Sequence, residues 1–450
     1  MTRIVVLGGG FAGVAVARRL EKKLRRDEAE IAIVSRDNFT LFTPMLPEVS
    51  SGGLEARHVA TPVRAQLRRT SFVLGEIAQI DLAAKAVEAQ HPLTGERTRL
   101  TYDHLVLALG SVTSTFNIPG VAEHTLPLKT LEDAETLRNR IVASLEQAVV
   151  TPPGPARERL LTFAVVGGGY TGCECAGELV DFFHSIVKFY RPLKLAEVRM
   201  VLIEAAKALL IDLPEKMGRY TAKHLARRGV ELILGDGVTG IDQHGIALQS
   251  GTIVPSNTVV WSAGVRPSPV LRDLPVPHAR NGGILANQDM SVRETPGVWA
   301  LGDCAWIPSQ PNADPNDKDS WYPATAQHAI REGPQLAENI VATLRGKPTK
   351  PFHYTSLGTM ASLGGRRGVA QLPGGIVLTG WLAWFLWRTY YLLRLPGLDR
   401  QVRVAFDWSV GVLFPRDIAE LRLYTERGQL QAVRDAGLLP SGTSTSSGGP

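Results

Sequence analysis

Twice in this chain a buried-strand pattern runs into three glycines and comes out as a helix. That repetition constrains the fold more than any other feature. The first copy is Arg3-Ile4-Val5-Val6-Leu7, then Gly8-Gly9-Gly10-Phe11-Ala12-Gly13, then a helical pattern with Ala17, Leu20 and Leu24 on one stripe. The second is Phe163-Ala164-Val165-Val166, then Gly167-Gly168-Gly169-Tyr170-Thr171-Gly172, then a helical pattern over residues 174–188. In both, G-x-G-x-x-G sits between strand and helix, the setting in which it cradles a pyrophosphate. Gly8 and Gly167 permit the tight turn. Gly10 and Gly169 let phosphate approach the backbone, and Gly13 and Gly172 let helix and strand pack closely. The helix N-terminus offers free N–H groups and the positive end of a dipole. One match is also what an ordinary glycine-rich turn gives. Two matches point to a duplicated nucleotide-binding unit.

The elements after each fingerprint support the duplication. Residues 30–34 read as a second strand ending at Ser35, with Asp37 two residues on; residues 198–203 read as its counterpart, ending at Glu204. A dinucleotide fold places an acidic ribose ligand at that strand end. Glu204 fits, whereas Ser35 offers only one hydroxyl. Strands at residues 72–80, a hairpin at 85–102 and the glycine-ended strand 105–111 are echoed by 231–234, 246–253 and 259–264. Residues 38–52 read as irregular. The prolines at 152, 153 and 155 mark a linker. Near residue 300 a buried strand ends in Gly302-Asp303, a carboxylate for the first site or a cap for the segment after it. The fold class is α/β, with two Rossmann-like dinucleotide-binding domains and a C-terminal membrane-associating region.

Composition narrows the partners. The chain has 450 residues, a net charge of +6 and three cysteines, Cys173, Cys175 and Cys304. The charge favours anionic partners, but no basic-aromatic block argues for nucleic acid. No C-x-x-C pair is present, and no metal site is expected. No signal peptide and no uninterrupted spanning run are visible. The closest candidate, residues 376–395, reads as a helix of about 20 residues and carries Trp381, Trp384, Phe385, Trp387, Tyr390 and Tyr391, interrupted by Arg388 and Arg394. Aromatic and arginine side chains together suit a helix lying in a membrane interface. A core or dimer-interface helix is the alternative. The tail at 441–450, rich in Ser, Gly, Thr and Pro, reads as disordered.

These residues resemble the two-dinucleotide-binding-domain flavoproteins and, among them, the type II NADH dehydrogenases, single-subunit NADH:quinone oxidoreductases. The resemblance spans nearly the whole chain to about residue 439. It rests on Gly8 to Gly13, Gly167 to Glu178, Gly302-Asp303-Cys304-Ala305, Ala326-Gln327-His328-Ala329 and the aromatic C-terminal region. It implies FAD on the first unit, with Ser35 toward the ribose and Asp303 near the ribityl-pyrophosphate. It implies NADH on the second, with Glu204 on the adenosine ribose and disfavouring NADPH. Quinone then approaches by Gln327 and the C-terminal segment. Ser35 replaces the usual acidic ligand, and Arg331 stands where many relatives carry a second glutamine.

The implied organisation is an FAD-binding domain at 1–118 and 284–345, an NADH-binding domain at 119–283, a membrane-association region at 346–439 and a tail at 440–450. The implied reaction passes a hydride from NADH to FAD and electrons to a membrane quinone. The chain would lie on the cytoplasmic face of the cell membrane, anchored through residues 376–415, and a homodimer is compatible with it. Glu174 is expected at the nicotinamide–flavin contact, assisting proton transfer or orienting the nicotinamide; complementing a helix dipole is its alternative role. Gln327 is expected to bond a flavin or quinone carbonyl, with helix-start packing as its alternative. Without polar multi-span helices, no proton pumping is expected. Rival readings are a reductase of another acceptor, ferredoxin-like or sulfide:quinone type, and an NADH-sensing flavoprotein without turnover. The cysteine pair beside the flavin that disulfide reductases need is missing from residues 41–53, and no cysteine follows Cys304.

Overall fold

A computed structural model of the chain describes residues 1–420 apart from 312, 315, 316, 318 and 319. The tail expected to be disordered, and the last part of the C-terminal region, lie outside the described residues. Two five-stranded parallel sheets form the framework. The first has the order Val298–Ala300, His104–Leu107, Thr2–Leu7, Ala29–Ser35, Ser71–Leu74. The second has the order Leu126–Pro127, Thr258–Trp261, Thr162–Val166, Arg199–Glu204, Val230–Leu234. In each the fingerprint strand is central and fully paired, so its β-branched residues are buried on both faces. Each sheet also carries a three-stranded antiparallel meander between its third strand and its return strand, at 76–101 and 238–254.

The two glycine turns are built alike. Gly8 and Gly167 have φ of 113° and 111°, which only glycine adopts freely. A Cβ on Gly13 would lie 1.9 Å from the Gly8 carbonyl oxygen, and one on Gly172 would lie 1.8 Å from that of Gly167. Helix and strand therefore meet closely enough to aim the helices Phe11–Lys23 and Tyr170–Ile186 at the strand ends.

Beyond the second sheet the chain returns to complete the first. Val298–Ala300 pairs with His104–Leu107, and the helix Ala326–Leu344 packs on Phe11–Lys23, where a Cβ on Gly333 would lie 2.5 Å from the Ala15 side chain. A three-stranded meander then follows, Thr359–Ser362, Gly368–Gln371 and Val377–Gly380. Two helices, Trp381–Arg394 and Leu398–Leu413, close the described chain.

Two expectations are corrected here. Residues 38–52 are not irregular: they form the strand Phe39–Leu41, a tight turn Thr43–Met45 and the buried helix Leu46–Ser50. Pro44 and Pro47 start those turns, and Met45, Leu46 and Val49 bury against the helix Leu131–Val150. Nor is 376–395 one helix of about 20 residues. Gly380 takes φ 83°, so Val377–Gly380 completes the meander and only 14 residues are helical.

Candidate active site

The two fingerprint helices start without the side-chain caps that two other long helices bordering the site carry. Helix Leu131–Val150 has a full capping box from Thr130 and Asp133, and Ala326–Leu344 is capped by Thr325. Phe11–Lys23 and Tyr170–Ile186 start at Gly10 and Gly169, with no side-chain cap and no acidic residue in the first turn. Their first N–H groups are thus left for an external acceptor. A Cβ on Gly10 or Gly169 would meet nothing within 4 Å, so both glycines open onto free space.

From Gly10 a groove of about 1090 Å³ runs past Ser35, Asp37, Gly302 and Asp303. It shares Phe11, Thr43, Lys129, Asp303 and Ala326 with a cavity of about 1190 Å³ between the two sheets. At that junction Asp303 accepts hydrogen bonds from Ser111 Oγ at 2.7 Å and Lys129 Nζ at 3.4 Å. Asp303 therefore serves the junction, and not as a helix cap. Beneath it the buried Glu332 accepts from the Gly302 N–H at 2.7 Å. Ser35 lines the groove and packs under Gly9, while Asp37 pairs with Arg36 at 3.3 Å. An uncapped helix start, an open Cβ position at Gly10 and a long groove with a carboxylate at its far end fit an extended dinucleotide such as FAD.

The second copy opens toward the larger cavity through Tyr170, Thr171, Glu174 and Ser262. Glu204 stands at its strand end, accepting from the N–H groups of Gly168 and Ala206. That holds it beside the turn, where a ribose would reach it. Glu174 is 8 % exposed and lines the cavity; its Oε1 accepts from the Ser362 N–H at 2.9 Å and from Trp387 Nε1 at 3.0 Å. Burial pushes its carboxyl up to about 8 against the pull of those two bonds, with Glu48 and Glu178 adding to the rise. Glu174 therefore carries a proton at neutral pH.

Opposite, Gln327 is held at both ends of its amide. Its Nε2 donates to the Gly358 carbonyl at 2.9 Å, and Tyr354 donates to its Oε1 at 2.9 Å. Arg331 lies over the Tyr354 ring at 4.4 Å and also lines the cavity. His328 bonds the Thr325 hydroxyl at 2.7 Å, and burial with Arg331 nearby lowers it to about 4, so it is neutral.

Sequence reasoning missed a buried carboxylate group under the cavity. Glu48 accepts from Trp408 Nε1 at 2.7 Å and faces Arg388 at 3.7 Å. Arg388 is sandwiched between Trp384 and Trp408, 4.7 and 4.2 Å from their ring centres. Glu178 pairs with Arg416 at 2.7 Å. The C-terminal helices, and Arg416 just beyond them, thus supply the donors that make these acids tolerable. Only the Glu174–Glu178 spacing, one helical turn, was a hint.

Burial holds Glu48 and Glu332 each at about 7. Above about pH 5 an unfolded glutamate is mostly ionised, while Glu48, Glu174 and Glu332 keep their protons up to about 7 to 8, so unfolding releases protons over that range. Stability is expected to fall as pH rises from about 5 to 8 and to level off above that. Thermal melts should drop by several degrees over that range, and Glu332→Gln should flatten the slope.

All three thiols are buried, and burial raises each above its usual range. Cys173 donates to the Gly168 carbonyl at 3.3 Å, a packing role. Among the described residues no group of three or more acidic, histidine or cysteine side chains could hold a metal ion.

Residues 2–333 match the model of the pyridine nucleotide-disulphide oxidoreductase family, and residues 356–417 match the NDH2 C-terminal domain. The chain is 33% identical to the type II NADH:quinone oxidoreductase Ndh of Mycobacterium tuberculosis, over 92% of this chain and 89% of that one. The chain belongs to the type II NADH:quinone oxidoreductases. It is also 32% identical to an internal alternative NAD(P)H-ubiquinone oxidoreductase A1, mitochondrial, of Arabidopsis thaliana, covering 93% of this chain and 86% of that one. Its fold matches NDH2 from Plasmodium falciparum in complex with NADH, with a TM-score of 0.85, 21% identity and coverage of 93% and 99%. The sulfide:quinone oxidoreductase of Aquifex aeolicus shares the fold at a TM-score of 0.68 and 18% identity, over 93% and 96% of the two chains.

Proposed function

We propose that this type II NADH:quinone oxidoreductase binds FAD along the Gly10–Asp303 groove, NADH on the Gly169 turn and quinone beneath the C-terminal helices. The observation that carries the reading is the shared cavity, where Tyr170 and Glu174 of the second unit face Asp303 and Gln327 of the first. FAD, when bound, accepts a hydride from NADH and passes two electrons to the quinone. Gly8, Gly10 and Gly13 shape its phosphate turn, Ser35 meets the ribose and Asp303 the ribityl-pyrophosphate. Gly167, Gly169 and Gly172 do the same for NADH, and Glu204 takes the adenosine ribose and repels a 2′-phosphate. Gln327, locked by Tyr354, presents its one free Nε2–H to a ring carbonyl. Glu174 supplies a proton, because burial keeps it neutral while two N–H donors await its anion.

The domains follow as 1–118 with 284–345 for FAD, 119–283 for NADH, and 346 onward for the membrane. Among the described residues no helix is long and apolar enough to cross a membrane. The last two helices instead expose apolar stripes: Trp381, Leu382, Phe385 and Leu393 on one, Leu398, Val402, Phe406, Val410 and Leu413 on the other. Such stripes, with tryptophan and arginine beside them, fit the surface of a bilayer. The proposed location is the cytoplasmic face of the cell membrane, with electron transfer uncoupled from proton pumping.

Anaerobic NADH should bleach the bound flavin's absorbance, and quinone should restore it. Bleaching without restoration by any quinone would reject the quinone step, and a colourless protein that cannot be reloaded with FAD would reject the site.

A further inference from the structure

The hairpin between Thr359–Ser362 and Gly368–Gln371 turns through Leu363-Gly364-Gly365-Arg366-Arg367. Its tip is fastened from below. Arg228 donates to the carbonyls of Gly177 and Leu363 at 3.0 and 3.3 Å and pairs with Asp181. The other Asp181 oxygen accepts from the Gly365 N–H at 2.7 Å. The nearby acid is thus occupied. Above it Arg366 is exposed at φ 55°, in the left-handed region that arginine seldom adopts. Arg367 is exposed and donates to the Arg366 carbonyl at 3.3 Å. Among the described residues no carboxylate pairs with either guanidinium, and Asp181, which holds the Gly365 N–H, is taken by Arg228.

The tip adjoins the apolar stripe. Gly368 pairs with Gly380, and the Arg367 Cδ lies 3.9 Å from where a Cβ on Gly380 would stand. The next residue, Trp381, is 54 % exposed and stacks on Phe385 at 5.4 Å. Tyr220 reaches the same point at 3.6 Å, and its helix carries the exposed Lys223 one turn on. Two arginines free of carboxylates therefore border the first turn of the helix whose tryptophan faces outward. A soluble anion has no use for the adjoining aromatic surface. A lipid headgroup meets both at once.

We propose that the Arg366–Arg367 tip binds anionic phospholipid headgroups and so fixes the orientation in which the chain docks on a charged bilayer. This rests on the membrane docking inferred above from the apolar stripes. The test is flotation of the full-length flavoprotein with phosphatidylcholine vesicles, alone or mixed with phosphatidylglycerol, at low salt. Each arginine is expected to favour the charged vesicles by about fivefold. Arg366→Asn with Arg367→Gln should remove about 25-fold of that preference and leave binding to phosphatidylcholine unchanged. Asn suits the left-handed position, so Arg366→Asn alone, losing about fivefold, serves if the double variant is unstable. The double lysine variant should keep the preference. A wild-type protein that binds both vesicles equally, or a double variant that keeps the full preference, overturns the proposal. So does a preference erased by inorganic phosphate but not by chloride of equal ionic strength, which marks a soluble-anion site. Binding to neither vesicle overturns the docking reading itself.

Discussion

Gly10→Val should yield a folded but colourless protein, whereas Gly169→Val should stay yellow and no longer bleach with NADH. Both positions have ordinary backbone angles, with φ of −78° and −76°, so a branched side chain adds little strain. Both point a virtual Cβ into open space. The added methyls would then occupy the volume that a pyrophosphate needs at an uncapped helix start. Losing two or three charge-assisted bonds from those N–H groups amounts to about 3–9 kcal/mol, or at least about 100-fold in affinity. Flavin occupancy on purification and the KM for NADH report the two sites separately, while thermal melting controls for folding. Gly8 and Gly13 are poor probes, because a side chain at either would strike backbone within 2.1 Å. If Gly10→Val retains a full complement of FAD, the first turn is not the phosphate cradle.

How far a sequence shows such a site depends on whether each part has a local signature. The phosphate turns do, because strand, glycine spacing and helix are contiguous, and Glu204 is legible as the residue that ends the second strand. Asp303 stood out only as a carboxylate after a buried strand, and its contacts with Ser111 and Lys129 span 192 and 174 residues. The pairing of Val298–Ala300 into the first sheet is equally non-local. Gly380 was legible as a glycine but not as a break, since its positive φ is imposed by pairing with Gly368. The supports of Glu174 were beyond reach for the same reason. Ser362 and Trp387 lie 188 and 213 residues away, and no period or propensity relates them to the fingerprint. Arg388, which argues against a membrane span in the sequence, is an internal cation for Glu48, stacked between two tryptophans. Its charge was visible, but its partner was not.

Glu174→Gln separates two roles that the sequence left open. Reduction of quinone consumes a proton, and Glu174 is a protonated acid on the cavity wall whose anion would be received by the Ser362 and Trp387 N–H groups. Because its carboxyl is raised to about 8, the acid form predominates below that pH and is lost above it. Reoxidation of the reduced enzyme by quinone should therefore decline as pH rises through about 8. Glutamine keeps the shape and its Oε1 can still accept both bonds, but it holds no transferable proton. The variant should reduce quinone about 10²-fold more slowly, with the alkaline limb abolished, while flavin reduction by NADH in a stopped-flow experiment keeps its rate. The opposite split, slow flavin reduction with normal reoxidation, would mean that Glu174 orients the nicotinamide. Unchanged rates in both halves would leave it only the packing of a buried helix face. Trp387→Phe offers an independent check. Removing a donor to the anion raises the carboxyl further, so the alkaline limb should move to higher pH.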